Sequence, residues 1–227
     1  TYLFPAAFTL GLADGRTVAV RRAWPAPPPP AAAPSATPAT QPPRVAHRWL
    51  AADSVAYVAV PRFNHPDYQR EALAAVARYR RAPALVLDLR GNGGGSTPWR
   101  LTKAFTGDGW AGLRVEHELT RMSPLMRLAA RPVVALARVP RYRGRLYVLV
   151  NGGCASACED LVGALQGRPN VTLVGDTTYG STGQPISVTF GDGMSARVSA
   201  RRYVLAGGGP FEGVGLAPDV RVVPTPA

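Results

Sequence analysis

A mixed α/β fold, with helices layered on a sheet, follows from three features of the sequence. Short apolar runs of strand length alternate with stretches of helical spacing between residues 54 and 175. Two of those runs, ALVLDLR (84–90) and LYVLVN (146–151), are nearly continuous in apolar residues, as strands inside a parallel sheet are. Each opens directly into a glycine-rich turn, GNGGGS (91–96) and NGGCAS (151–156).

The elements follow in order. FTLGLA and RTVAVRR flank Asp14-Gly15, an apolar–turn–apolar pattern that predicts a hairpin over residues 1–24, the end of an incomplete preceding module. PAPPPPAAAPSATPATQPPR (25–44) fixes φ and removes amide donors at each proline, so it reads as a semi-rigid linker. Residues 45–227 then form the main domain. SVAYVAVP (54–61) predicts a strand and HPDYQREALAAVARYRR (65–81) a helix. ALVLDLR should be a strand buried on both faces, with a helix following over 97–105. Residues 107–132 carry no clear period and are assigned to a lid. LYVLVN is a second buried strand, followed by a helix over 156–166, a strand VTLVG (171–175) and a hairpin about GDG (191–193).

The chain of 227 residues carries 26 basic and 14 acidic side chains, a net charge of +12. The cations are almost all arginine, dispersed and without a nucleic-acid reading motif, which favours a solvated basic surface over a nucleic-acid partner. No apolar run approaches the ~20 residues needed to span a bilayer. No paired-carboxylate cluster suited to acid–base catalysis and no metal-ligand cluster is recognised, and neither a metal nor a cofactor is expected.

NGGCASACED (151–160) poses the chemical question. A serine hydroxyl becomes a nucleophile only with a base and with fixed donors for the oxyanion. A strand that turns sharply into a helix exposes such a side chain beside unpartnered first-turn amides. Ser156 with Glu159 three residues on is equally a capping box, and on this motif alone the structural cap is the better reading. The glycine run 91–95 lacks phosphate-loop spacing, but it can supply an amide nest for an oxyanion. Cys154 and Cys158 make a poor zinc site. They read as small buried hydrophobes on the helix, with a reactive thiolate at Cys154 or a local disulfide as alternatives.

In order, LVLDLRGNGGGS, YVLVNGGCASACEDLVGAL, VTLVGDTTYGSTG and FEGVGLAPDV resemble the C-terminal-processing (tail-specific) serine peptidases over most of 52–223. The resemblance implies a Clp-protease/crotonase-like core, protein or peptide substrates and an extracytoplasmic location. It places the nucleophile on Ser156 and the oxyanion donors on the amides of Gly94 and Ala157, with a one-position ambiguity within the glycine triplet. The tail-specific members take their base from a lysine in GxxTxGKG; here GDTTYGSTG has Ser181 at that place, and Lys103, the sole lysine, matches no family base. Tricorn-like relatives use Ser–His–Glu instead, which points to Glu212 in EGVGLAPD and to a histidine from a region upstream of the core. His47, His65 and His117 read as ordinary surface histidines. Asp88 and Arg90 are expected to brace the glycine loop, Thr178 and Tyr179 to line the turn facing Ser156, and Asp219 to form a turn. Two other functions stay open: a catalytically inactive peptide-binding relative, and crotonase-type acyl chemistry, for which no coenzyme A signal is present.

Overall fold

The computed structural model describes residues 7–11, 15–21, 44–108, 112–118, 138–189 and 195–222. They fall into two compact units, residues 1–42 with 184–200 and residues 43–183 with 201–227. Residues 184–200, which the sequence assigns to a continuous 45–227 domain, thus group with the N-terminal segment.

In the smaller unit, β1 (Ala7–Gly11) pairs antiparallel with β2 (Thr17–Arg21), as the apolar runs predict. Asp14 lies outside the described residues, as does nearly all of the linker. The strands expected about GDG are β9 (Ile186–Thr189) and β10 (Ser195–Val198), paired antiparallel, although residues 191–193 themselves are not described.

The larger unit is built on β3 (Ala46–Ala51), β4 (Val55–Ala59), β5 (Ala84–Asp88), β7 (Arg145–Val150), β8 (Val171–Gly175) and β12 (Val220–Arg221). Their spatial order is β12-β8-β7-β5-β4-β3, all parallel except β3, which runs antiparallel to β4 at the edge. Among the described residues the helices are α1 (Pro66–Arg78), α2 (Trp99–Thr106) and α3 (Ala157–Leu165), with α2 packed against both others. From β4 to β12 the chain steps in one direction only, so right-handed crossovers lay all three helices on one face.

That one-sidedness corrects an expectation. β5 is not buried on both faces: Leu85 and Leu87 are fully buried, whereas Ala84 and Val86 are only half-buried. β7 alternates likewise, with Leu146, Val148 and Val150 turned into the core. The core between sheet and helices also takes Leu101, Leu161, Leu165 and Leu173, each burial contributing roughly 1.5–3 kcal/mol. Part of the expected lid is a strand, β6 (Arg114–Glu118), paired with β11 (Arg201–Val204). Residues 109–111 and 119–132 of that segment lie outside the described residues.

Candidate active site

The site forms where three loops leave the C-terminal ends of parallel strands, the usual place for a ligand in an open α/β sheet. β5 runs into the glycine loop, β7 into residues 151–156, and β8 into residues 176–183. The loops are bound to one another through the main chain. The Ala155 amide donates to the Asn92 carbonyl at 3.0 Å, the Tyr179 amide to the Cys154 carbonyl at 2.9 Å, and the Ser156 amide to the Ser181 carbonyl at 2.8 Å. Asn92, fully buried, donates from Nδ2 to the Val60 carbonyl at 2.8 Å and so fixes the root of the glycine loop.

Ser156 stands at the start of α3 with φ 57° and ψ −125°. An ordinary N-cap lies in the β region; a non-glycine residue in this conformation costs about 1–3 kcal/mol and persists only where its surroundings enforce it. The Ser156–Glu159 capping box is also present, with the Ser156 amide donating to Glu159 Oε2 at 3.1 Å. Yet the Glu159 amide already bonds the Ser156 carbonyl oxygen at 2.7 Å. Cap and sharp elbow therefore coexist, and the elbow is the feature a simple cap leaves unexplained. Ser156 is half-buried, while its neighbours Ala157, Cys158 and Glu159 are buried.

Glu159 does more than cap. Fully buried, its carboxylate accepts from Thr178 Oγ1 (2.6 Å), the Gly180 amide (2.7 Å) and the Ser181 amide (2.9 Å) besides the Ser156 amide. One buried carboxylate thus ties the serine turn to the 178–181 loop. Asp160 does the same for a second pair of loops, accepting from Thr97 Oγ1 at 2.5 Å and Thr182 Oγ1 at 2.9 Å. Burial pushes its carboxyl up, against the two threonine hydroxyls. The sequence marked Glu159 only as a cap and did not mark Asn92 or Asp160; an acidic pair in a helix's first turn was the available signal.

Gly94 packs directly on the serine turn. A side-chain carbon there would stand 2.7 Å from Ser156 Cβ and 2.9 Å from the Ala157 nitrogen, and its φ of 89° disfavours any other residue. The glycine triplet and Ser156 are therefore brought together. Ala157 is the first residue of α3, so no intrahelical carbonyl can reach its amide. The Gly94 amide, by contrast, is engaged: it donates to Asn92 Oδ1 at 2.9 Å.

Glu212 reaches the same neighbourhood from the far end of the chain. The Gly213 amide bonds the Gly180 carbonyl at 2.7 Å, and the backbone amides of Thr182 and Tyr203 donate to the Glu212 carboxylate. Its Oε1 is buried with no hydrogen-bond partner among the described residues, and burial pushes the carboxyl above its usual range.

The other sequence-marked residues have structural work. Burial alone would raise the Asp88 carboxyl, but bonds from Arg90, Tyr57 and the Arg90 amide outweigh it and hold the group below its usual range. Asp88 and Arg90 so brace the loop as expected, and with Gly91 and Asn151 they line a recess that does not include Ser156. Thr178 is buried beneath the turn rather than lining it, while Tyr179 is exposed. Asp219 accepts the Leu173 amide at 2.7 Å and anchors β8 instead of forming only a turn. His65 caps α1, and His47 Nδ1 lies 3.1 Å from the Tyr79 hydroxyl. The His117 side chain lies outside the described residues. Lys103 pairs with Asp108 at 3.0 Å. Cys154 and Cys158 are joined in a disulfide, so neither is the free buried thiol expected, nor is Cys154 a thiolate.

A serine elbow thus lies between a glycine loop and a buried acid, on an α/β core with a mostly parallel sheet. The family model of peptidase family S41 matches residues 54–222, and the chain belongs to that family. It is 30% identical over 139 residues to the carboxy-terminal-processing protease of Bartonella bacilliformis, covering 60% of this chain and 30% of that protein. Against the chloroplastic C-terminal processing peptidase of Tetradesmus obliquus it is 30% identical over 180 residues, 77% of this chain and 36% of the relative. The chain therefore spans about a third of the length of these curated relatives. Among solved structures, the photosystem II D1 C-terminal processing protease superposes with a TM-score of 0.58 at 22% identity, covering 92% of this chain and 52% of that one. The tricorn protease superposes with a TM-score of 0.53 at 17% identity, covering 75% of this chain and 15% of that one. At these identities the two structures establish the fold alone.

Proposed function

We propose that the protein is a serine endopeptidase that hydrolyses peptide bonds of protein substrates. The observation that carries this reading is the backbone of Ser156: φ 57° at the mouth of α3, pressed against Gly94. In the reaction, Ser156 Oγ attacks the scissile carbonyl while a base takes its proton. The Ala157 amide and an amide of the glycine triplet receive the oxyanion, each such donor worth about 10²–10³ in rate. Gly94 fills that second role by sharing or releasing its bond to Asn92 Oδ1. The base then returns the proton to the leaving amine, and water hydrolyses the acyl-enzyme.

The base is read as a histidine other than His47 and His65, oriented by Glu212, whose buried Oε1 is a free acceptor suited to an imidazole N–H. This makes the protein tricorn-like in mechanism, in keeping with Ser181 standing at the family's lysine place. Substrates are extended peptides, and neither cofactor, metal nor nucleic acid takes part. An extracytoplasmic location accords with the disulfide, since oxidising compartments preserve such bonds. Among the described residues no helix is long and apolar enough to cross a membrane.

A second reading, a catalytically inactive peptide-binding relative, is favoured by the serine at 181. Incubation with an unfolded protein substrate, read by mass spectrometry of the products, separates the two. The peptidase yields fragments that Ser156→Ala does not; a binding relative yields none from either and retains the peptide.

A further inference from the structure

Cys154 and Cys158 stand two residues before and two after Ser156, and their disulfide closes a ring of five residues with the serine at its centre. Both cysteines are fully buried, whereas Ser156 is half-buried, so the bond lies on the core side of the turn. Cys158 Sγ is 4.0 Å from the Leu89 carbonyl oxygen, where the glycine loop begins. The bond therefore sits under the two segments that meet at the proposed oxyanion site.

We propose that the Cys154–Cys158 disulfide is a positioning element for Ser156: closed, it holds the left-handed turn from which the hydroxyl projects; opened by a dithiol reductant, it lets that turn relax and disables the serine. Its catalytic half rests on the serine-peptidase reading, and its conformational half does not.

A disulfide stabilises a fold globally in proportion to the logarithm of the loop it closes, so a five-residue ring contributes little there. What so small a ring does constrain is its own backbone, and the residue at its centre has the left-handed φ. Interiors are packed to the density of organic crystals, and two separate thiols need more room than a bonded pair. The Cys154 carbonyl is held by the Tyr179 amide and the Ala155 amide by the Asn92 carbonyl. The Ser156 amide is held in turn by the Ser181 carbonyl and Glu159. The amide of Ala157, the first residue of α3, meets no intrahelical carbonyl, so displacement on opening falls on the link between Ser156 and Ala157. In the reaction two electrons pass from the dithiol, whose sulfurs join, to the Cys154–Cys158 bond, which breaks, and each cysteine sulfur gains a proton.

The test compares oxidised protein with protein reduced by dithiothreitol, the thiols counted by alkylation and mass spectrometry. Amide hydrogen exchange is followed at residues 155–160 and across β7, alongside labelling of Ser156 by a fluorophosphonate. On reduction, exchange at the Ser156 and Glu159 amides should quicken by about tenfold or more, with β7 unchanged. Labelling should slow by about tenfold or more, since displacements near 1 Å can cost 10²-fold, and glutathione disulfide should restore it. Free thiols in protein isolated from an oxidising compartment would overturn the proposal. So would reduced protein that keeps both its protection and its labelling, or a loss of protection throughout β7, which would make the bond a global staple. Changed local exchange without labelling in either state would remove the peptidase reading and leave the conformational inference standing.

Discussion

Helices α1 and α3 begin in opposite ways. At α1 the cap residue His65 is extended (φ −141°, ψ 142°), its Nδ1 accepts the Asp67 amide at 3.3 Å, and Pro66 follows in the first turn. All of this serves the helix, because orphan first-turn amides need partners and proline has none to offer. At α3 the entering residue is left-handed, its amide is shared between the Ser181 carbonyl and Glu159, and a glycine from another loop lies against its Cβ. A helix start that merely ends a loop takes the relaxed route. A strained route, held by three loops and a buried carboxylate, is what the proposed nucleophile requires.

The largest expected effect that tests this contrast is at Gly94. Gly94→Ala would drive a carbon into Ala155 O, Ser156 Cβ and the Ala157 nitrogen, all within 2.9 Å, with an unfavourable φ besides. Peptide hydrolysis should fall by about 10²-fold or more, with a lowered melting temperature. Retained hydrolysis would separate the glycine loop from the site. Next comes Glu159→Ala, which leaves the Ser156, Gly180 and Ser181 amides and the Thr178 hydroxyl without their shared acceptor; denaturant titration should show a loss of about 3 kcal/mol or more. The corresponding change in the first turn of α1, Asp67→Ala, should scarcely move the midpoint, because that carboxylate is solvent-facing.

Glu212 sharpens the comparison through pH. Burial raises its folded carboxyl value above the unfolded one, so the folded chain binds the proton more tightly. Its effect on stability is most favourable below the unfolded value near 4.5 and is lost as pH rises through the folded value. Glu212→Gln should flatten that decline in denaturation measured across pH, leaving neutral-pH stability equal or higher, while hydrolysis falls. A stability loss confined to neutral pH would assign the carboxylate a structural bond instead. The smallest effects are opposite in sign at the two helix starts. Ser156→Gly should raise stability by about 1 kcal/mol through relief of the left-handed residue, and His65→Ala should lower it by about 1 kcal/mol through loss of a cap.

Much of this was legible in the sequence because it is local. The order of β4, α1, β5, α2, β7, α3 and β8 follows from apolar period, and the two glycine turns mark the strand ends from which the site is built. Family resemblance singles out Ser156, Gly94 and Ala157, and the fold packs Gly94 against the other two. What stayed hidden depends on partners distant in sequence. β3 was missed because AHRWLA lies exposed at the sheet edge and carries no alternation. The one-sided burial of β5 depends on strand order, which its own five residues cannot encode. Asn92, Asp160 and the several bonds of Glu159 are visible only once three loops converge. The engaged Gly94 amide is likewise a property of the folded turn, and only that turn decides between buried thiols and the local disulfide that the sequence leaves open.

The proposed peptidase requires that the left-handed elbow at Ser156 present an activated hydroxyl. Mass-spectrometric mapping of the oxidised protein after exposure to a fluorophosphonate tests this most directly. A single adduct is expected, on Ser156, absent from Ser156→Ala. An unmodified Ser156, or an adduct at any other residue, would contradict it.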